Sequence, residues 1–157
     1  MCDRVVTYVG NNPGRFKELV AVFLGGPYRV TQRSGWPLSC CVEKHPDLIR
    51  PYIRTLIKNL DRPGQHVAVK RNTIRLLQFI DIPKSERGIA AEVCFKFLAD
   101  NREPIAVRAF SMTVLANLAR LEPGLKQEVR ILIEDQIPYA SAGILARARK
   151  VLKELKE

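Results

Sequence analysis

Several things are scarce in this chain of 157 residues: one tryptophan, two histidines, two methionines, four cysteines, and 16 acidic residues against 26 basic ones. No apolar run approaches the ~18 residues that a membrane span needs. The opening residues, Met-Cys-Asp-Arg-Val-Val-Thr-Tyr-Val-Gly, also lack a basic start followed by a long apolar stretch, so no secretory signal is predicted. A soluble, cytoplasmic protein is the expectation. Cys2, Cys40, Cys41 and Cys94 contain no Cys-x-x-Cys pair and no histidine at a zinc-ligand spacing, which argues against a metal site. Cys40 and Cys41 are adjacent, so on a helix they point about 100° apart and would strain the backbone if bonded to each other. All four are expected to be reduced thiols, with Cys41 and Cys94 packed as small apolar residues.

The equipment of an enzyme is missing in the same way. The nine glycines are scattered, with neither the Gly-x-x-x-x-Gly-Lys run nor the Gly-x-Gly-x-x-Gly run that cradles phosphates. His45 and His66 fall in linkers, and Glu134-Asp135 are neighbours that point in different directions, so no nucleophile–base pair or carboxylate dyad emerges. No catalytic, cofactor-binding or metal-binding residue is predicted. No segment alternates polar and apolar residues with a period of two, which removes the usual sign of half-buried strands.

What is present is an ordinary globular composition, 46% hydrophobic and 27% charged. A chain of this length buries roughly 68–70% of its unfolded surface, enough for one domain spanning residues 1–157. The formal net charge is +10 and is uneven: residues 1–80 hold 13 basic and 5 acidic groups, residues 81–157 hold 13 and 11. An anionic partner would prefer the first half, although charge alone specifies no partner.

Proline and glycine cut the chain into helix-length pieces at Asn12-Pro13, Gly25-Gly26-Pro27, Pro46, Pro63-Gly64, Pro83, Pro104, Pro123-Gly124 and Pro138. Leu48, Ile49, Tyr52, Ile53, Leu56, Ile57 and Leu60 follow the spacing of one buried helical stripe. Pro37 falls inside the piece from Tyr28 to Lys44 and is expected to kink that helix or delay its start. A shift of 38 residues then superimposes like on like: Trp36, Ile74 and Met112; Leu38, Leu76 and Val114; Val42, Ile80 and Leu118. Ile53, Ala91 and Val129 fall in register too, as do Leu56, Cys94 and Leu132, and Ile57, Phe95 and Ile133. The unit is two helices, occurring four times over about 13–45, 46–84, 85–122 and 124–157. Such a unit cannot bury both its stripes alone and must stack on its neighbours, so the fold class predicted is an all-α, α-α superhelix. Trp36 shares a column with Ile74 and Met112 and is expected in the core.

The third unit links its helices through Leu98-Ala99-Asp100-Asn101-Arg102-Glu103-Pro104-Ile105-Ala106-Val107-Arg108-Ala109, and the equivalent stretch from Leu60 carries Asp61 and Val69-Lys70. This pattern resembles the HEAT/armadillo-like repeat family, whose repeats end their first helix with Leu-x-Asp and open the second with Val-Arg and small residues. The stretches Gln32-Arg33-Ser34-Gly35-Trp36 and Glu43-Lys44-His45-Pro46, with Arg71-x-x-x-Arg75-Leu-Leu, are similar to a group of short bacterial HEAT-like proteins. The resemblance implies a structural task for Lys70 and Arg108, reaching back to Asp61, Asp100 and loop carbonyls.

The same resemblance implies that second helices line a concave face, where Arg33, Arg71 and Arg75 would form a short basic row, with Gln78 beside it as part of the possible binding surface. Arg71, Arg75 and Gln78 are spaced to share one side of their helix, away from Val69, Thr73, Leu76 and Ile80. Arg147 and Lys150 on the last helix could extend the row or form a polar terminal cap. A solvated face remains the alternative, because the matching positions of the third unit are Ala109, Thr113 and Ala116. Two readings of function follow. The first is a non-enzymatic protein-protein interaction scaffold or adaptor that holds an unknown protein or peptide in its groove. The alternative is nucleic-acid binding through the phosphate backbone, as HEAT-like alkylpurine DNA glycosylases hold a duplex. No membrane partner is predicted.

Overall fold

A computed structural model describes residues 2–156, and these form nine α-helices, with three short 3₁₀ segments and no strand among them. They are α1 (Cys2–Val9), α2 (Pro13–Gly25), α3 (Tyr28–Lys44), α4 (Ile53–Asn59), α5 (Val67–Leu77), α6 (Lys84–Ala99), α7 (Ile105–Leu121), α8 (Lys126–Gln136) and α9 (Ala142–Lys156). Two compact units contain them, residues 1–80 and 81–157. Among the described residues no helix is long and apolar enough to cross a membrane.

In the first unit α3 is the hub, packed on α1, α2, α5 and the 3₁₀ turn Pro46–Tyr52. Asn12 starts α2: its side chain accepts the Arg15 N–H at 3.0 Å, and Pro13 occupies the first helical position, where no donor is lost. His66 starts α5 in the same way, its Nδ1 accepting the Ala68 N–H at 3.0 Å. The α2–α3 corner is tied by the Thr31 hydroxyl, 2.9 Å from the Val22 carbonyl and 3.0 Å from that of Gly26. Phe16, Leu38, Ile49, Ile53, Leu56, Ile57 and Ile74 are fully buried. Pro46 and Pro51 hold the first part of the predicted 48–60 stripe in a 3₁₀ turn, so only its second half is α-helical.

α3 runs without interruption from Tyr28 to Lys44 with Pro37 inside it, so the late start entertained for this helix does not occur. Gly35 explains how closely α3 meets α5: a Cβ there would lie 2.5 Å from Asn72 Nδ2 and 2.8 Å from its Cγ. Asn72 is buried and donates to the Ala68 carbonyl at 2.8 Å, one turn back on α5.

In the second unit α7 is the hub, packed on α6, α8 and α9. Its stripe of Val107, Met112, Val114, Leu115 and Leu118 is buried, as are Cys94 and Leu98 of α6, Val129 and Ile133 of α8, and Ala148 and Val151 of α9. Arg108 reaches back, its Nε donating to the Leu98 carbonyl at 3.4 Å and its other end to the Gln136 side chain. Asp100 accepts the Arg102 N–H at 2.9 Å and pairs with that guanidinium at 3.1 Å.

Candidate binding groove

α1 has eight residues and α3 has seventeen, which at 1.5 Å per residue are about 12 Å and 26 Å long. The shorter helix cannot cover the longer one. α1 and α2 also touch only weakly, so part of α3 is left facing a groove of about 480 Å³. Cys2 and Val5 come from α1, Leu19 and Val22 from α2, and Val30, Arg33, Ser34, Trp36 and Pro37 from α3. Ser34 turns its hydroxyl away to the Thr31 carbonyl at 2.8 Å, so the wall presents mainly carbon.

Trp36 is 52% exposed and forms part of this wall, which corrects its expected place in the core. Ile74 and Met112, in the same repeat column, are fully buried. The periodicity finds the column but does not state whether a neighbouring helix covers it, and eight-residue α1 leaves this position open. One face of the indole is covered instead by Arg75, whose guanidinium carbon sits 4.1 Å from the ring centroid.

Arg75 is the second correction. A row of outward-facing arginines was expected, yet its side chain is only 16% exposed. The guanidinium donates to the buried Ser39 hydroxyl, lies 3.8 Å from Glu43 Oε2, and approaches the Phe79 ring at 5.3 Å. Its charge is engaged by the face of Trp36 and by the half-exposed Glu43. Gln78 turns back to the Arg75 carbonyl at 3.1 Å. Arg33 and Arg71 are exposed, and of the predicted set only Arg33 lines the groove.

In the second unit Arg147 donates to the Thr113 hydroxyl at 2.7 Å and lies 5.6 Å from the centre of the Phe110 ring, while Lys150 is exposed. That unit has its own cleft of about 370 Å³ beside Ala116, Arg120, Lys126, Glu154 and Leu155, with a mixed polar and apolar wall. No cluster of three or more potential metal ligands occurs among the described residues.

The groove was missed in the sequence because α1 was not assigned a place in the repeat. Its signal is short: Val6 and Val9, one turn apart, are buried, and Asp3 stands in the first turn.

Nine helices and no strand among the described residues, apolar columns that recur every 38 residues in the sequence, and Arg108 reaching back to the Leu98 carbonyl near the end of the preceding helix are the marks of an all-α helical repeat solenoid. The family model of the HEAT repeat domain matches residues 1–155, and the chain belongs to that family. Comparisons with curated proteins and with solved structures find no match. HEAT repeat domains serve in general as protein-interaction scaffolds.

Proposed function

We propose that this protein is a non-enzymatic adaptor whose groove between α1, α2 and α3 receives a segment of a partner protein. The segment would carry a large apolar side chain flanked by acidic residues. One observation carries the reading: the only tryptophan of the chain stands half-exposed on an apolar wall, with its back face stacked on a guanidinium. Exposed indole area held rigid by its neighbours is the residue type that dominates binding hot spots. Arg33 on the wall, and the excess of basic over acidic groups in residues 1–80, favour an acidic flank on the partner.

Because Trp36 is the sole indole, its fluorescence reports on the groove directly. Peptides selected by display on the full chain should share a large apolar anchor next to Asp or Glu, and their binding should shift the Trp36 emission to the blue. Trp36→Ala should weaken them by about 30-fold or more, with Arg147→Ala as the unaffected control. Selected peptides that bind Trp36→Ala as tightly as the unaltered chain would remove the groove from this reading.

The second reading, phosphate-backbone binding, is favoured by the exposed Arg33 and Arg71 and by the charge of the first half. Against it, Arg75 is already engaged by Glu43 and Ser39. Four neutralised phosphates would give a log K against log salt slope near about −3.6 for duplex DNA. A duplex titration with that slope, together with failed peptide selection, would put nucleic acid in the place of protein.

A further inference from the structure

Cys2 and Cys40 lie 38 residues apart in sequence, yet the first residue of α1 and the thirteenth of α3 bring their sulfurs to 3.9 Å. Both thiols are partly exposed and unbonded, whereas Cys41 and Cys94 are buried. We propose that Cys2 and Cys40 form a peroxide-sensitive thiol pair, whose oxidation to a disulfide fastens the start of α1 to α3 at the edge of the groove.

Three features of the surroundings support this assignment. Cys40 sits on the long hub helix, so its Cα is fixed. Cys2 opens its helix, where the N–H has no intrahelical partner to lose, so its Sγ can move the further ~1.9 Å to bonding distance without breaking the hydrogen-bond ladder. Cys41 is no competitor: it is 1% exposed, and burial pushes its thiol up to about 11. Burial and the neighbouring Cys2 also raise the Cys40 thiol above its ordinary value, with the Arg75 charge acting in the opposite sense, so it is the nearness of the two sulfurs, and not an acidic thiol, that favours the disulfide.

The chemistry balances as follows. One sulfur, having given up its proton, attacks the O–O bond of the peroxide and becomes a sulfenic acid, and the other peroxide oxygen leaves as water. The second sulfur attacks the sulfenyl sulfur, the S–S bond forms, and the hydroxyl departs as a second water. Two protons and two electrons leave the thiol pair, and one hydrogen peroxide is reduced to two waters. A small dithiol reverses the change by exchange.

The test is run on the unliganded full chain with hydrogen peroxide, followed by alkylation in denaturant and mass spectrometry. Two of the four thiols should become unavailable, with the peptide of Cys2 joined to peptide 34–44, and dithiothreitol should restore all four. The pair should react roughly ten-fold or more faster than Cys94. Peptide 34–44 contains Cys41 as well, so Cys41→Ser must keep the link and Cys40→Ser must abolish it. The proposal is overturned by a link through Cys41, by a link only between two copies, by separate over-oxidation to sulfinic acids, or by four free thiols under peroxide that oxidises a control cysteine peptide. The wild-type mass shift needs no variant to fold. The crosslink is read without a groove ligand, so its failure leaves the adaptor reading standing, and failure of peptide selection leaves the crosslink standing.

Discussion

At the scale of single residues, Cys94 on α6 is fully buried, and desolvation pushes its thiol up to about 12, with a hydrogen bond involving Ser111 acting in the lowering direction. The ordinary value of a cysteine thiol, 9.0, applies once the chain is unfolded and the group is solvated. Folded protein therefore keeps a proton that unfolded protein gives up. The stability linked to Cys94 is fully present below pH 9 and drains away between pH 9 and about 12, at about 1.4 kcal/mol for each pH unit. Urea unfolding followed across this window should show the loss, and the same series on Cys94→Ala should fall less steeply. Parallel slopes for the two proteins would contradict the assignment. The burial of Cys94 and Cys41 was legible from sequence, since both occupy apolar columns or stripes. The meeting of Cys2 with Cys40 was not, because it depends on where α1 lands.

At the scale of elements, the contact between α3 and α5 depends on a missing side chain. Gly35→Ala would place a Cβ within 2.5–3.0 Å of three atoms of Asn72, a residue that is only 4% exposed. Alanine gains about 1 kcal/mol in helix propensity over glycine, while overpacking of this kind costs about 1–3 kcal/mol. The expected outcome is a net loss of up to about 2 kcal/mol, measured by chemical denaturation. Removing the obstacle in Gly35→Ala with Asn72→Ala should recover part of it. Additive losses would mean that the two helices already have room. Gly35 gives no sign of this in the sequence, where it is one of nine glycines and sits in a strongly periodic helix. The helices themselves were legible, since proline and glycine mark their ends and apolar spacing marks their inner faces. Trp36 was misplaced because a repeat column records which side of a helix a residue occupies and not what stands opposite.

For the whole molecule, the net charge of +10 acts against compactness through self-repulsion. The ion pairs at the surface do little to offset it: Arg50–Asp47 is held at 3.4 Å with both side chains exposed, and Arg102 of the Arg102–Asp100 pair is almost fully solvated. Raising NaCl from 20 to 500 mM shortens the screening length several-fold. The melting midpoint should therefore rise by about 1–3 °C, corresponding to at most roughly 1 kcal/mol for a chain of this size. A midpoint that falls over the same range would show that the pairs outweigh the repulsion.

Local information was enough for the helical class, the 38-residue period and the family, because those follow from the order of apolar, polar and helix-breaking residues along the chain. The groove and the exposed Trp36 follow from the mismatch in length between α1 and α3, and the inward-held Arg75 from its meeting with Ser39 and Glu43 of α3. Whether a side chain meets another helix, a guanidinium or water is a property of the surroundings, and no pattern within its own segment encodes it.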